Sequence, residues 1–159
     1  MYLFPSHDLV GGLAGDALTD ADHNVAIGED ALGSDTLGST SVAVGRTALF
    51  NQNFTTATNT LNVAVGYAAG LANTTGVQNT FIGAEAGDAG STVTNNVYVG
   101  YGAGTGDTAS QQTTIVGAQA GTSFNPGSAV SYTTIVGFQA GYYNATGLGN
   151  TYIGHKAGS

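Results

Sequence analysis

The side chains best suited to chemistry crowd the N-terminal end of the chain. Asp16, Asp20, Asp22 and Asp30 bring carboxylates close together, and His23 adds an imidazole. Oxygen ligands at close spacing are the donor set for Ca²⁺, so Asp16, Asp20 and Asp22 are candidate metal ligands. The pattern lacks an Asp-x-Asp-x-Asp-Gly loop, and Asp is a common turn residue, which favours a solvated acidic end. The three histidines are His7, His23 and His155, and cysteine is absent. None of the histidines is grouped with a Ser nucleophile in a recognisable arrangement, so surface or loop roles are expected and no enzyme or cofactor is. The run Val99-Gly-Tyr-Gly-Ala-Gly-Thr-Gly106 looks like a nucleotide loop, but its spacing is not G-x-G-x-x-G.

Charge narrows the partners. Lys and Arg total two (Arg46 and Lys156), and the formal net charge is −8. Seven acids lie within the first 35 residues: Asp8, Asp16, Asp20, Asp22, Glu29, Asp30 and Asp35. Such a chain cannot neutralise a phosphate backbone, so nucleic acid is excluded as a partner. An anionic membrane finds no basic patch, and no run approaches the ~18 apolar residues of a membrane helix. The first residues lack the basic and apolar regions of a signal peptide. Hydrophobic residues make up 42% and charged residues 8%, which argues against disorder despite 26 glycines. The glycines do not recur every third residue, which excludes collagen.

These side chains are carried by a repeat. The motif Asn-Val/Thr-x-Val/Ile-Gly-x-x-Ala-Gly recurs, in full or with its outer positions replaced, with glycines at Gly11, Gly28, Gly45, Gly66, Gly83, Gly100, Gly117, Gly137 and Gly154. Successive spacings are 17, 17, 21, 17, 17, 17, 20 and 17. Val or Ile precedes every one of these glycines, and Ala follows three residues later. A fixed period means a stack of like units, each burying its apolar side against its neighbours. The repeat domain spans 7–159, with a lead-in at 1–6. The chain stops directly after the ninth motif, where a solenoid would carry an atypical cap, so it reads as a fragment or processed product of a longer protein.

Each motif reads as a short strand. In Asn96-Val97-Tyr98-Val99-Gly100, Val97 and Val99 share one face and Tyr98 takes the other. The flanking positions, including Thr80, Thr114, Thr134 and Thr151, are read as the inward face. The central residues Phe81, Tyr98, Ile115, Ile135 and Tyr152 are then left to pack on another chain, since exposed apolar ladders are a liability. The motif glycine predicts a turn with positive φ, or an approach too close for a Cβ. Weaker turn signals at Leu37-Gly38, Thr75-Gly76, Pro126-Gly127 and Thr146-Gly147 predict a second strand per coil, with ~5 residues in each. The fold class is therefore all-β, a parallel β-solenoid of about nine 17-residue coils. At ~4.8 Å per rung it makes a rod of roughly 43 Å. So thin a coil has little interior, and a homo-oligomer sharing an axis would supply the rest. Three chains suit, although the symmetry number does not follow from these residues.

The longer spacings place extra residues at Asn51 to Thr60 and at Ser123 to Tyr132. These loops are expected to project sideways and offer Phe54 and Phe124 for lateral contact, or to tuck those rings against a neighbouring chain. Tyr67, Tyr98, Tyr101, Tyr142, Tyr143 and Tyr152 suit glycan stacking or protein contacts, with inter-chain packing as the other reading of Tyr98 and Tyr152. The pairs Thr113-Thr114 and Thr133-Thr134 suggest an ice-binding hydroxyl ladder, but the first rungs carry Val instead. The sequons at Asn53, Asn73 and Asn144 read as incidental.

The strings Asn24-Val-Ala-Ile-Gly28-Glu-Asp-Ala31 and Asn62-Val-Ala-Val-Gly66-Tyr-Ala-Ala69 resemble the head repeats of trimeric autotransporter adhesins. Asn79-Thr-Phe-Ile-Gly83-Ala-Glu-Ala-Gly87 and Asn150-Thr-Tyr-Ile-Gly154-His-Lys-Ala-Gly158 resemble a related form in bacteriophage tail fibres, as do Asn73-Thr-Thr-Gly76 and Asn144-Ala-Thr-Gly147. The resemblance covers 7–159 and implies a trimeric left-handed β-roll used as a shaft or receptor-facing head, on a virion or extracellular surface. The period departs from the shorter coil of adhesin heads and favours the tail-fibre reading, with the adhesin head as the alternative. Receptor or glycan identity does not follow from the motif.

Overall fold

The computed structural model describes residues 7–127 and 130–159. The lead-in at 1–6, and Ser128 and Ala129 of the second long loop, lie outside the described residues. Every motif copy forms a three-residue strand: β1 (Asp8–Val10), β2 (Val25–Ile27), β4 (Val42–Val44), β6 (Val63–Val65), β7 (Thr80–Ile82), β8 (Val97–Val99), β9 (Thr114–Val116), β10 (Thr134–Val136) and β11 (Thr151–Ile153). They build one nine-stranded parallel sheet in chain order, and equivalent motif positions pair across every coil boundary, as Phe81 does with Tyr98. The chain is a parallel β-solenoid.

The second strand expected in each coil is nearly absent. Among the described residues, only β3 (Gly38–Ser39) and β5 (Thr58–Asn59) pair there, followed by isolated bridges linking Thr94, Gln111 and Val130. Strands are three residues long rather than five because left-handed backbone brackets them. The residue five before the motif glycine has positive φ from His23 to Gly149, and so do those two and four after it, as at Asp30 and Leu32. Each such non-glycine residue costs about 1–2 kcal/mol. Inter-coil hydrogen bonds at the turns offset that cost. Glu85 N donates to Tyr67 O at 2.8 Å, and Gly87 N to Ala103 O at 2.9 Å, and equivalent pairs recur along the stack.

The motif glycines satisfy both reasons given for them. Gly100 has φ +133°, and a Cβ there would lie 2.6 Å from the backbone carbon and oxygen of Gly117. The glycines thus form a column in which successive coils touch through bare backbone.

The face assignment is reversed from the sequence expectation. The central strand residues Ala26, Ala43, Ala64, Phe81, Tyr98, Ile115 and Ile135 are fully buried in the chain's own core. The flanking Val, Thr and Ile residues point outward. The motif alanines from Ala31 to Ala140 line the opposite wall. Size is matched across this narrow interior. Coils with Ala26 or Ala43 at the centre place Leu32 or Leu49 after the motif alanine, and coils with Phe81, Tyr98, Ile115 or Ile135 place Gly87, Gly104, Gly121 or Gly141 there. The Ala64 coil carries Gly70, because a Cβ there would lie 2.6 Å from the Phe81 ring of the next coil. A Cβ at Gly104 would sit 2.8 Å from the Tyr98 ring. Protein interiors are close-packed, so bulk on one wall must be balanced by its absence on the other.

The asparagine of the motif is a buried connector. Asn79 Nδ2 donates to Val93 O at 2.7 Å, and its Oδ1 accepts Asn96 N at 3.1 Å. Asn62 and Asn96 repeat the pattern. In the first coil His7 takes this place, and its Nδ1 accepts Asn24 N at 3.2 Å. In the coils of Asn24, Asn62, Asn79 and Asn96 one side chain thus joins both walls and the next coil, and keeps buried backbone groups paired.

Candidate functional site

The acidic end does not assemble. Asp16, Asp20 and Asp22 are exposed, and among the described residues no group of three His, Asp or Glu side chains converges on a metal-sized space. Asp35, expected in the same solvated run, is instead fully buried. Its Oδ1 accepts Gly38 N at 3.0 Å and Phe54 N at 3.1 Å, and its Oδ2 accepts Gln52 Nε2 at 2.6 Å. Asn73, Asp107 and Asn144 cap the same turn through the backbone N of Gly76, Ser110 and Gly147. An Asx residue three before Gly or Ser was the available signal, since Asx side chains bond local backbone in turns.

Asp107 also accepts the hydroxyls of Tyr98 and Ser110 inside the rod. Burial, and then the nearby Asp107 charge, holds the Tyr98 phenol well above its ordinary value. The phenol therefore stabilises the fold while protonated. That contribution is complete below the unfolded value near 10 and is lost as pH rises through the higher folded value. Tyr98→Phe leaves a buried acceptor short of a donor and is expected to cost about 1–3 kcal/mol at neutral pH. The phenylalanine variant lacks the alkaline limb, so its deficit should shrink above pH ~10. Urea denaturation across neutral and alkaline pH measures this, and a deficit constant with pH would contradict it.

The loop aromatics expected at the rod's side are buried within the single chain. Phe124 is 0% exposed and belongs to the core cluster, and Phe54 is 7% exposed. Both rings are folded into the chain's own interior, although they belong to the two long coils of 21 and 20 residues. Thr113 and Thr133 are likewise buried, while Thr114 and Thr134 face out, so the Thr pairs do not form one flat hydroxyl surface.

Among the described residues, two outward surfaces run the length of the stack. The first is the open face of the nine-stranded sheet. One column runs Val10, Ile27, Val44, Val65, Ile82, Val99, Val116, Val136, Ile153, aliphatic at every rung. Beside it runs a column of Val and Thr from Val25 to Thr151, preceded by Asp8. The sheet exposes this ladder along roughly 38 Å, eight rung spacings of ~4.8 Å.

The second surface follows the motif glycine. Its outermost column runs Glu29, Arg46, Tyr67, Ala84, Tyr101, Ala118, Phe138, His155. Arg46 Nε lies 3.1 Å from Glu29 Oε2, with its guanidinium 5.9 Å from the Tyr67 ring centre. Phe138 and His155 stack at 5.6 Å and 11°. A hollow of about 130 Å³ opens here, lined by Glu85, Tyr101, Gly102, Thr105, Gln119 and Thr122. Partial burial, and then the neighbouring Glu85, raises the Asp88 carboxyl above its ordinary value. A larger hollow of about 310 Å³ lies at the last coils between Gln139, Tyr142, Tyr143, Lys156 and Ser159. No family model, curated protein or solved structure matches the chain.

Proposed function

We propose that this chain is a structural and attachment rod, a segment of a bacteriophage tail fibre or similar virion appendage, working as a homotrimer outside the cell. The single observation that carries the reading is the outward aliphatic ladder on the open sheet face. Monomeric soluble proteins rarely expose a contiguous apolar patch of this length. A second copy related by rotation about the rod axis covers it with the same residues, because every rung presents the same type of side chain. The cooperative stack of short strands supplies stiffness, and the turn columns supply a surface that varies from rung to rung without touching the core.

Native mass measurement of the purified chain is expected to give three times the monomer mass. Ile82→Lys combined with Val99→Lys buries two charges in the shared face and should leave a folded or partly folded monomer. A wild-type chain that stays monomeric and fully folded would remove the basis of this reading. Binding of the trimer to bacterial cells tests the attachment role.

A further inference from the structure

We propose that the hollow floored by Gly102 is a binding subsite for one hexose unit of a neutral, extended oligosaccharide lying along the rod. The inference rests on the attachment reading for the source of the ligand, but its argument comes from the site. Gly102 is the one glycine among the residues two past the motif glycines. Its neighbours in the stack, Glu85 and Gln119, hold the same left-handed backbone at φ 59° and 54°, against 60° at Gly102. A Cβ at Gly102 would meet only Thr105 Cγ2, at 3.6 Å. Packing therefore does not require glycine here, and the residue's effect is to open a notch between two long polar side chains. Coils lie on both sides of this notch, so further chain beyond Ser159 would not fill it.

The lining fits a sugar. Tyr101 stands at the rim with 54% of its surface exposed and offers a ring face to an apolar C–H patch. Glu85 offers carboxylate acceptors. Gln139 Nε2 holds the Gln119 side-chain oxygen at 2.9 Å, so Gln119 presents its NH₂ as a donor. Thr105 and Thr122 add hydroxyls. An apolar face beside a ring of mixed donors and acceptors is the complement of a hexose. An anionic ligand is disfavoured, because no Lys or Arg lines the notch and Glu85 does.

The hollow is smaller than the ~300 Å³ and upward of enclosed ligand pockets, so it holds one unit and leaves the rest of the ligand outside. The flanking column supplies that path. Tyr67, Tyr101 and Phe138 alternate with Ala84 and Ala118, so an aromatic ring recurs every second rung, about 9.6 Å apart by strand spacing. That is the scale of a disaccharide repeat, with every second sugar stacked and the alanines leaving room for the units between.

The test is a printed array of neutral β-linked hexose oligosaccharides, followed by calorimetric titration of any that bind, using the full chain. Tyr101→Ala removes the stacking face, and Gly102→Gln fills the notch with the side chain already present at Gln119. Tyr101 is exposed, so its variant should melt close to wild type. Gly102→Gln adds only the left-handed backbone cost of about 1–2 kcal/mol that Glu85 and Gln119 already bear, so circular dichroism should show a folded rod with a small drop in melting temperature. Each variant is expected to weaken binding about tenfold or more, equivalent to ~1.4 kcal/mol. Wild-type protein that binds none of the sugars, or variants that bind as well as wild type, would overturn the subsite. A trimer that binds bacterial cells equally well with Gly102→Gln would also overturn it, while sparing the attachment reading. A trimer that binds neither cells nor sugars fails both.

Discussion

Gly100→Val is expected to destabilise the rod by more than about 4 kcal/mol, the range reserved for a few severe mechanisms. Two effects add. The backbone at φ +133° is one that a β-branched residue rarely adopts. The new Cβ would also lie 2.6 Å from the backbone of Gly117 and 3.0 Å from Ala118 N, and backbone atoms cannot swing aside. Relief requires the two coils to part, which breaks Gly117 N to Val99 O at 2.7 Å and loosens the sheet on either side. Each coil is stabilised by its neighbours, so the damage should spread along the stack. Gly154→Val separates the two effects. Its φ is +122°, but nothing lies within 4 Å of its Cβ position, so only backbone strain of about 1–3 kcal/mol remains. Thermal and urea denaturation of both variants should show a far larger loss at Gly100. Equal losses would mean that the glycine column is a set of turns and not a contact.

Phe81→Ala should cost about 3–5 kcal/mol, the usual loss for a buried aromatic ring. More informative is its coupling to Gly87. A Cβ at Gly87 would lie 2.5 Å from the Phe81 ring and 2.9 Å from Tyr98, so Gly87→Leu alone should destabilise by overpacking. In the double variant the leucine enters the space the ring vacated. Ala26 faces Leu32 and Ala43 faces Leu49, with the leucines at φ 52° and 51°, where the next coil also has Ala at its centre. Here Tyr98 of the next coil still crowds the leucine, so the relief is partial. The double variant should therefore be more stable than the sum of the single losses by about 1–3 kcal/mol. Additive losses would refute the size exchange across the core.

The position of Asp35 illustrates why part of the candidate site was illegible. A carboxylate among six other acids reads as solvated, since Asp is almost never fully buried unless it is paired. Its partners, Gly38 N, Phe54 N and Gln52 Nε2, include two that lie a coil away. The Gly102 notch was hidden for a related reason. A glycine in a glycine-rich run carries no signal until its stack neighbours are known to be Glu85 and Gln119.

The repeat itself determined much about this protein. Nine copies at a near-constant period specified an all-β stack, and equal motif positions had to pair because any slip would misalign every later rung. Val or Ile before each glycine and Ala after it marked the strand, the close approach and the small wall. What only the tertiary structure decided was which side of the strand is inside. Alternation says that residues such as Val97 and Tyr98 face opposite ways, but both faces here carry apolar groups, so pattern alone cannot rank them. The ranking comes from the width of the coil. Left-handed turns bracket each strand and bring the motif alanines across from the central residue, and only one side chain per rung fits between the walls. Ala, Phe, Tyr or Ile takes that place according to what Leu or Gly leaves opposite in its own coil and in the coil before it, as Gly70 makes room for Phe81. The flanking Val, Thr and Ile columns are thereby turned outward, where the rod must find a partner.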